Sequence, residues 1–248
     1  MPEGPSIVIL KEELIKFKGK KIIEISGNAK IDLQRMKGLK ILDMRSWGKH
    51  FLICFDGFFI RIHLLMFGSY RINERKELDP RLRMRFKDGE LNFYTCSIKL
   101  IEGEVDEFYD WESDTMSEKW NPSKALKALK YKEKEMICDS LMDQEVFAGV
   151  GNIIKNEVLF ITKVHPETIN NNIPVKKAKE VVKVLREFCF DFLRWKRKFE
   201  LKKHYRIYTK KVCPDCGGNV KLKQTGHRMR RSFFCINCQV LYKKKTIT

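Results

Sequence analysis

The 248-residue sequence predicts an α+β protein in two domains, with an antiparallel sheet in the first half and a helical second half that closes on a four-cysteine ribbon. Three observations carry this prediction. Asp-Gly dipeptides sit between apolar or alternating runs, an amphipathic period begins after residue 121, and two Cys-x-x-Cys pairs lie near the C-terminus.

The elements follow in order. Residues 6–17 place Ile7, Leu10, Leu14 and Phe17 at spacings of three and four, the stripe of an amphipathic helix. FLICF and FFIRIHLL then flank Asp56-Gly57, and RLRMRF and LNFY flank Asp88-Gly89. Such dipeptides supply the backbone that tight hairpins demand, so both pairs read as antiparallel strands. From Glu102 to Glu118 the chain holds eight acids and no base, which reads as a linker or solvated edge around Ser113, Asp114 and Thr115. Asn121-Pro122 offers a cap and a first-turn proline for a helix, and apolar periodicity continues through residues 124–142. A second, basic amphipathic helix is expected over 175–195. The expected boundaries are a first domain over 1–118, a helical domain over 119–210 and a metal ribbon over 211–248.

Charge narrows the partner. Fifty Lys and Arg against 32 Asp and Glu give a net charge of +18. Residues 1–120 hold 21 basic and 20 acidic residues, whereas residues 121–248 hold 29 and 12, so the second half carries nearly all of the excess. That asymmetry points to a polyanion. No run approaches the length of a membrane span and no secretory leader is recognisable, so a cytoplasmic protein without membrane association is expected.

Four of the eight cysteines, Cys54, Cys96, Cys138 and Cys189, are scattered singly. The other four form Cys213-Pro-Asp-Cys216 and, after eighteen residues, Cys235-Ile-Asn-Cys238. Four thiolates in two close pairs suit a closed tetrahedral site of the structural zinc type, holding a fold rather than cleaving a bond. The hairpin between them contains KLKQTGHRMRRS, a basic tip suited to a phosphate backbone.

Other stretches leave alternatives open. Gly149-Val150-Gly151 precedes an apolar helix; it is either a structural connection or a turn that presents amides to an anion, with Asn152 adding its side-chain amide. Leu64 to Gly68 is either the core end of a strand or a loop-borne apolar wedge. Lys49, in RSWGKHFL, reads by itself as a solvated lysine. The opening MPEGPS raises a further possibility: loss of Met1 before a small residue would leave Pro2 as a secondary amine.

Taken together, PEGP, GKHFL, DQEVFAGVGNII and the four-cysteine ribbon, in that order, resemble the formamidopyrimidine-DNA glycosylase and endonuclease VIII family of base-excision repair enzymes. The resemblance spans nearly the whole chain. It implies an N-terminal β-sandwich with flanking helices, a helix-two-turn-helix domain, and a zinc finger, with damaged double-stranded DNA as partner and a monomer as working form. It implies Pro2 as nucleophile, Glu3 as general acid/base, Lys49, Asn152 and Arg230 as phosphate contacts, and Zn2+ on Cys213, Cys216, Cys235 and Cys238. An α-amino group titrates near ~8 and a lysine near ~10.4, so far more of a terminal amine is neutral at neutral pH.

Several features resemble the endonuclease VIII branch. PEGP replaces the usual PELP, and TCSIKLIEG stands where the guanine-directed branch carries an Arg-Arg-Phe-Gly turn. Leu65, Met66 and Phe67 match the position from which the endonuclease VIII branch fills the hole left by an everted nucleotide. The segment from Phe199 to Cys213 leaves little room for a lid over oxidised guanine. Oxidised pyrimidines are therefore the expected substrates, with oxidised purines as the alternative. Ser6 departs from the family, which commonly has glutamate there. A reading from another class is a zinc-ribbon protein that binds damaged DNA without cutting it.

Overall fold

The computed structural model describes residues 2–244. The chain forms two compact units, one ending at Asp110 and the other beginning at Trp111.

The first unit opens with helix α1 (Gly4–Leu14), which a 3-10 turn extends to Phe17. Its apolar stripe is the expected one, with Ile7, Leu10, Leu14 and Phe17 all buried. Eight strands follow: β1 (Glu24–Ser26), β2 (Asp43–Trp47), β3 (His50–Phe55), β4 (Phe58–His63), β5 (Ser69–Ile72), β6 (Leu82–Phe86), β7 (Gly89–Tyr94) and β8 (Ser97–Glu102). They form two antiparallel sheets in the orders β2-β3-β4-β8 and β1-β6-β7-β5. Phe51, Ile53, Ile60 and Ile62 of one sheet share a core with Leu82, Met84, Leu91 and Phe93 of the other, which makes the pair a sandwich. Asp56-Gly57 is the two-residue turn between β3 and β4, whereas the turn between β6 and β7 is Lys87-Asp88, with Gly89 opening β7 opposite Phe86; Gly57 (φ +72°) and Gly89 (φ +154°) both take positive φ. A short helix α2 (Val105–Phe108) ends the unit.

In the second unit, α3 (Pro122–Tyr131) starts where the sequence places it, with the Asn121 side chain accepting from the Ser123 and Lys124 amides at 3.1 Å. It is followed by α4 (Ile137–Ser140), α5 (Asn152–Ile161) and the long α6 (Val175–Arg197). Leu129, Ile154, Val158, Val182, Leu185, Phe188 and Phe192 make their common core. Strands β9 (Lys221–Thr225) and β10 (Arg230–Phe234) form the antiparallel ribbon hairpin.

The acidic stretch differs from the sequence expectation at its centre. Ser113, Asp114 and Thr115 are buried rather than solvated, because they pair with the turn before α5. Ala148 N donates to the Ser113 carbonyl at 2.9 Å, and the Thr115 amide and hydroxyl both donate to the Ala148 carbonyl. Backbone pairing with a distant glycine-rich turn outweighs the local charge pattern there. Among the described residues no helix is long and apolar enough to cross a membrane.

Candidate active site and nucleic-acid interface

Pro2, Glu3, Lys49 and the Leu65–Phe67 triplet lie in the first unit; Asn152, Arg230 and the four paired cysteines lie in the second. Each group is built by local rules.

Glu3 is the N-cap of α1, in extended conformation with φ −121°. Its side chain accepts from the Ser6 amide, and the Ser6 hydroxyl accepts from the Glu3 amide at 3.5 Å. This is a capping box with the usual residue types exchanged, and it gives Ser6 a definite place in holding the N-terminus. Pro5 lies in the first turn, where its missing N–H costs nothing. Glu3 is fully buried, so α1 fixes a carboxylate immediately beside Pro2. Helix α1 itself packs on β2 and β3.

Those two strands are joined by Gly48 and Lys49, with Trp47 opposite His50. Gly48 has φ +50°, which a two-residue hairpin loop requires at its first position. Lys49 therefore stands at a tightly specified turn, half-exposed, beside a cluster that sequence reasoning missed. The His50 and His63 rings meet edge to face at 5.4 Å, and Tyr109 Oη lies 3.3 Å from His50 Nδ1. The Trp47 and Tyr109 rings meet tilted at 4.9 Å, and Trp47 donates from Nε1 to the Asp110 carbonyl at 2.9 Å. Burial, with help from Arg61, His63 and Lys49, lowers the His50 pKa to about 3. Burial, Lys49 and Arg61 lower that of His63 as well. Both imidazoles are thus held neutral near the Lys49 cation. His50 and His63 stand opposite each other in the β3–β4 register, a pairing that the hairpin around Asp56-Gly57 implies.

Strand β4 ends at His63, and the next residues form a loop, which resolves the alternative left open for Leu64–Gly68. Leu65, Met66 and Phe67 are 47%, 51% and 78% exposed, while Leu64 anchors the loop in the core. Gly68 N donates to the Leu64 carbonyl at 2.7 Å. A β-carbon on Gly68 would lie 2.0 Å from that carbonyl oxygen, so only glycine closes this turn. Leu65 adopts φ +54°, a left-handed conformation that is uncommon for a branched apolar residue and is retained here in an exposed loop.

In the second unit, Gly149 takes φ +97° and Gly151 caps α5. Asn152 opens the helix, but its side chain faces inward. Its Nδ2 donates to the Arg231 carbonyl at 2.9 Å, and its Oδ1 is buried without a hydrogen-bond partner. Lys155 and Asn156 donate to the same carbonyl, at 3.2 Å each. Lys155 also reaches Ser232 Oγ at 2.8 Å, and Asn156 Oδ1 accepts from Phe233 N at 2.7 Å. Glu157, one residue on, accepts the amides of Arg206, Ile207 and Tyr208 at 2.9, 3.1 and 2.8 Å. Burial raises its pKa despite those three bonds. The polar residues of IIKNEVLF thus form a seam from α5 to the ribbon, through Lys155 and Asn156, and to residues 206–208, through Glu157. Three consecutive polar residues inside the apolar run that follows Asn152 were the signal for it.

Arg230 is exposed at the start of β10, with Arg228 and Arg231 beside it. The sulfurs of Cys213, Cys216, Cys235 and Cys238 all lie within 4.8 Å of one another, with Cys213–Cys238 at 3.8 Å and Cys216–Cys235 at 3.5 Å. A tetrahedron with metal–sulfur bonds of about 2.3 Å has edges of about 3.8 Å, so this donor set fits one metal ion.

A two-sheet sandwich with a capped N-terminal helix, followed by a helical unit stitched to a four-cysteine ribbon, defines a class of two-domain DNA-repair glycosylase folds. The formamidopyrimidine-DNA glycosylase N-terminal domain matches residues 1–97 and the formamidopyrimidine-DNA glycosylase H2TH domain matches residues 112–192. The chain belongs to the formamidopyrimidine-DNA glycosylase and endonuclease VIII family. Mouse (Mus musculus) endonuclease 8-like 3 is 32% identical over 216 residues, covering 84% of this chain and 36% of the relative. Formamidopyrimidine-DNA glycosylase of Lactobacillus helveticus is 28% identical, covering 98% of this chain and 100% of the relative. The chain spans about a third of the length of the endonuclease 8-like 3 relatives, which it covers by 33–38%. Among solved structures, Lactococcus lactis formamidopyrimidine-DNA glycosylase bound to DNA containing an abasic site has a TM-score of 0.84 at 24% identity, covering 96% of this chain and 99% of that one. A viral DNA glycosylase has a TM-score of 0.82 at 24% identity, with 96% and 100% covered.

Proposed function

We propose that this protein is a base-excision repair DNA glycosylase with abasic-site lyase activity, acting through Pro2 after removal of Met1. The observation that carries the reading is the buried Glu3 carboxylate, fixed as the cap of α1 directly beside Pro2. The proline nitrogen uses its lone pair to bond to C1′ of an everted nucleotide. The glycosidic bond breaks, and the base leaves with that bonding pair and a proton. Opening of the sugar ring, with Glu3 supplying the proton to the ring oxygen, leaves a positively charged iminium because the amine is secondary. Loss of a C2′ proton then expels the 3′ phosphate, and a second elimination expels the 5′ phosphate. Lys49, kept among neutral histidines, would hold a phosphate beside the lesion.

Damaged double-stranded DNA is the partner, gripped in the second unit by Arg230. Asn152 contributes by fixing the Arg231 carbonyl and with it the ribbon. Cys213, Cys216, Cys235 and Cys238 would hold a structural Zn2+, which supplies rigidity and no reacting group. We assign the working form as a monomer and the location as cytoplasmic.

Oxidised pyrimidines are the proposed substrates. Three apolar side chains on one exposed loop favour them, and so does β8, which pairs along its length with β4 and leaves no turn for further void-filling residues. Glu157 ties down residues 206–208, which disfavours a mobile lid there. Borohydride reduction in the presence of duplexes containing thymine glycol or 8-oxoguanine tests the reading. A covalent complex should form with the thymine glycol duplex and disappear when Met1 is retained or Pro2 is acetylated. Tight binding with no trapping at all would instead favour a non-catalytic damage-binding protein, and preferential trapping by 8-oxoguanine would reverse the substrate assignment.

A further inference from the structure

The ribbon tip rests on a carboxylate that the proposed chemistry does not use. Asp139, in α4, is 3% exposed. Its Oδ2 accepts from the His227 amide at 2.9 Å, and its Oδ1 accepts from the Arg228 amide at 3.2 Å. The His227 ring adds a third contact, Nδ1 to Oδ2 at 3.1 Å. The tip is shaped around this group. Gly226 has φ +68°, and a β-carbon there would lie 2.1 Å from Asp139 Oδ2, so the carboxylate occupies the space a side chain would need. Met229 closes the turn at φ +48°, a left-handed conformation uncommon for its type, with its amide 3.3 Å from the Gly226 carbonyl.

We infer that Asp139 is a positioning residue for DNA binding: it clamps the Gly226–Met229 turn, and so aims the exposed Arg228 and Arg230 at the phosphate backbone. Arg228 is held by its own amide, and Arg230 is the first residue after the turn. A carboxylate receiving two adjacent backbone amides fixes a turn much as a helix cap fixes a helix end, and charge-assisted bonds of this kind are the stronger ones. The cysteine cluster lies at the other end of the same hairpin, so the metal and the clamp hold opposite ends of the ribbon. The inference rests on the reading of Arg230 as a DNA contact.

The test combines a measurement without DNA and one with it, on the full-length zinc-loaded protein. Without DNA, Asp139→Ala should abolish hydrogen-exchange protection at the His227 and Arg228 amides while zinc content stays at one per chain. Unchanged protection would overturn the clamp. With a damaged duplex, Asp139→Ala should weaken binding about tenfold and reduce the slope of log affinity against log salt by about one phosphate's worth. Asp139→Asn, which keeps an acceptor, should recover part of the loss, and Gly226→Ala should reproduce it should Asp139→Ala fold poorly. The deciding comparison is the cycle with Arg230→Ala: the double variant should bind no more weakly than the weaker single one. Additive losses would overturn the positioning role. Should Arg230→Ala alone leave affinity unchanged, the reading of Arg230 fails, and the inference with it, even where the exchange result shows an intact clamp.

Discussion

The two units hold their candidate functional groups by opposite means. In the first, α1 and two sheets bury a continuous apolar core, and Glu3, Lys49 and the Leu65–Phe67 loop are carried on its edges. In the second, the ribbon packs a small apolar cluster, Val220 and Phe233 against Phe160 and Ile207, and is further held by the polar side chains Asp139, Asn152, Lys155 and Asn156 together with the four cysteines, while Glu157 holds the preceding residues 206–208. Apolar packing is non-directional and forgiving, whereas a polar seam is specific in geometry and costly when one partner is removed. A small hairpin with only a small apolar cluster gains much of its shape from the second kind of interaction.

The largest way to break this contrast is metal removal. Chelation, or Cys235→Ser, should unfold residues 213–240 and leave the sandwich intact, since zinc contributes about 10–16 kcal/mol to folding of small ribbon-like peptides. Hydrogen exchange resolved along the chain would show it, and equal loss of protection in both units would erase the distinction.

Next come paired substitutions. Glu157→Ala strands one buried and two partly buried amides and should destabilise the second unit by about 3 kcal/mol, whereas Glu157→Gln, still an acceptor, should cost less than half of that. Leu10→Ala in the first unit should cost about 3 kcal/mol through the cavity it leaves. Urea melts followed by domain-specific exchange would rank them; an equal cost for the Ala and Gln variants at 157 would remove the case for a polar seam.

The finest discrimination is by pH. His50 has a folded pKa of about 3 against an ordinary 6.5, so the unfolded chain takes up the proton first. Its contribution to stability is full above pH 6.5 and is lost as pH falls toward 3, by at most about 1.4 kcal/mol per pH unit. His63 works in the same direction. Glu157, with a raised folded pKa, has the opposite sign: its contribution is present below the unfolded carboxylate value and is lost as pH rises through the folded one. Acid melts should therefore weaken the first unit more, and His50→Gln should flatten that dependence. Identical acid profiles for the two units would contradict the assignment.

Much of the scaffold was legible in the sequence because its signals are local. Asp56-Gly57 and Asp88-Gly89 marked real turns, Asn121-Pro122 marked a real helix start, and the spacing of the cysteines predicted their cluster. What stayed hidden depends on partners distant in sequence. The burial of Ser113–Thr115 requires Ala148, the clamp of Asp139 requires a turn some ninety positions on, and the pairing of His50 with Tyr109 requires the whole sheet. Asn152 illustrates the limit: its position suggested an outward amide, and only the seam reveals that the amide turns toward Arg231.

The glycine-closed turn from Leu64 to Gly68 bears on the cost of binding. Because the Gly68–Leu64 bond and the left-handed Leu65 constrain its backbone, the apolar crest has less conformational freedom to lose on meeting a partner. In the proposed insertion into a damaged duplex, less of the ordering cost then falls on the loop and more on the duplex.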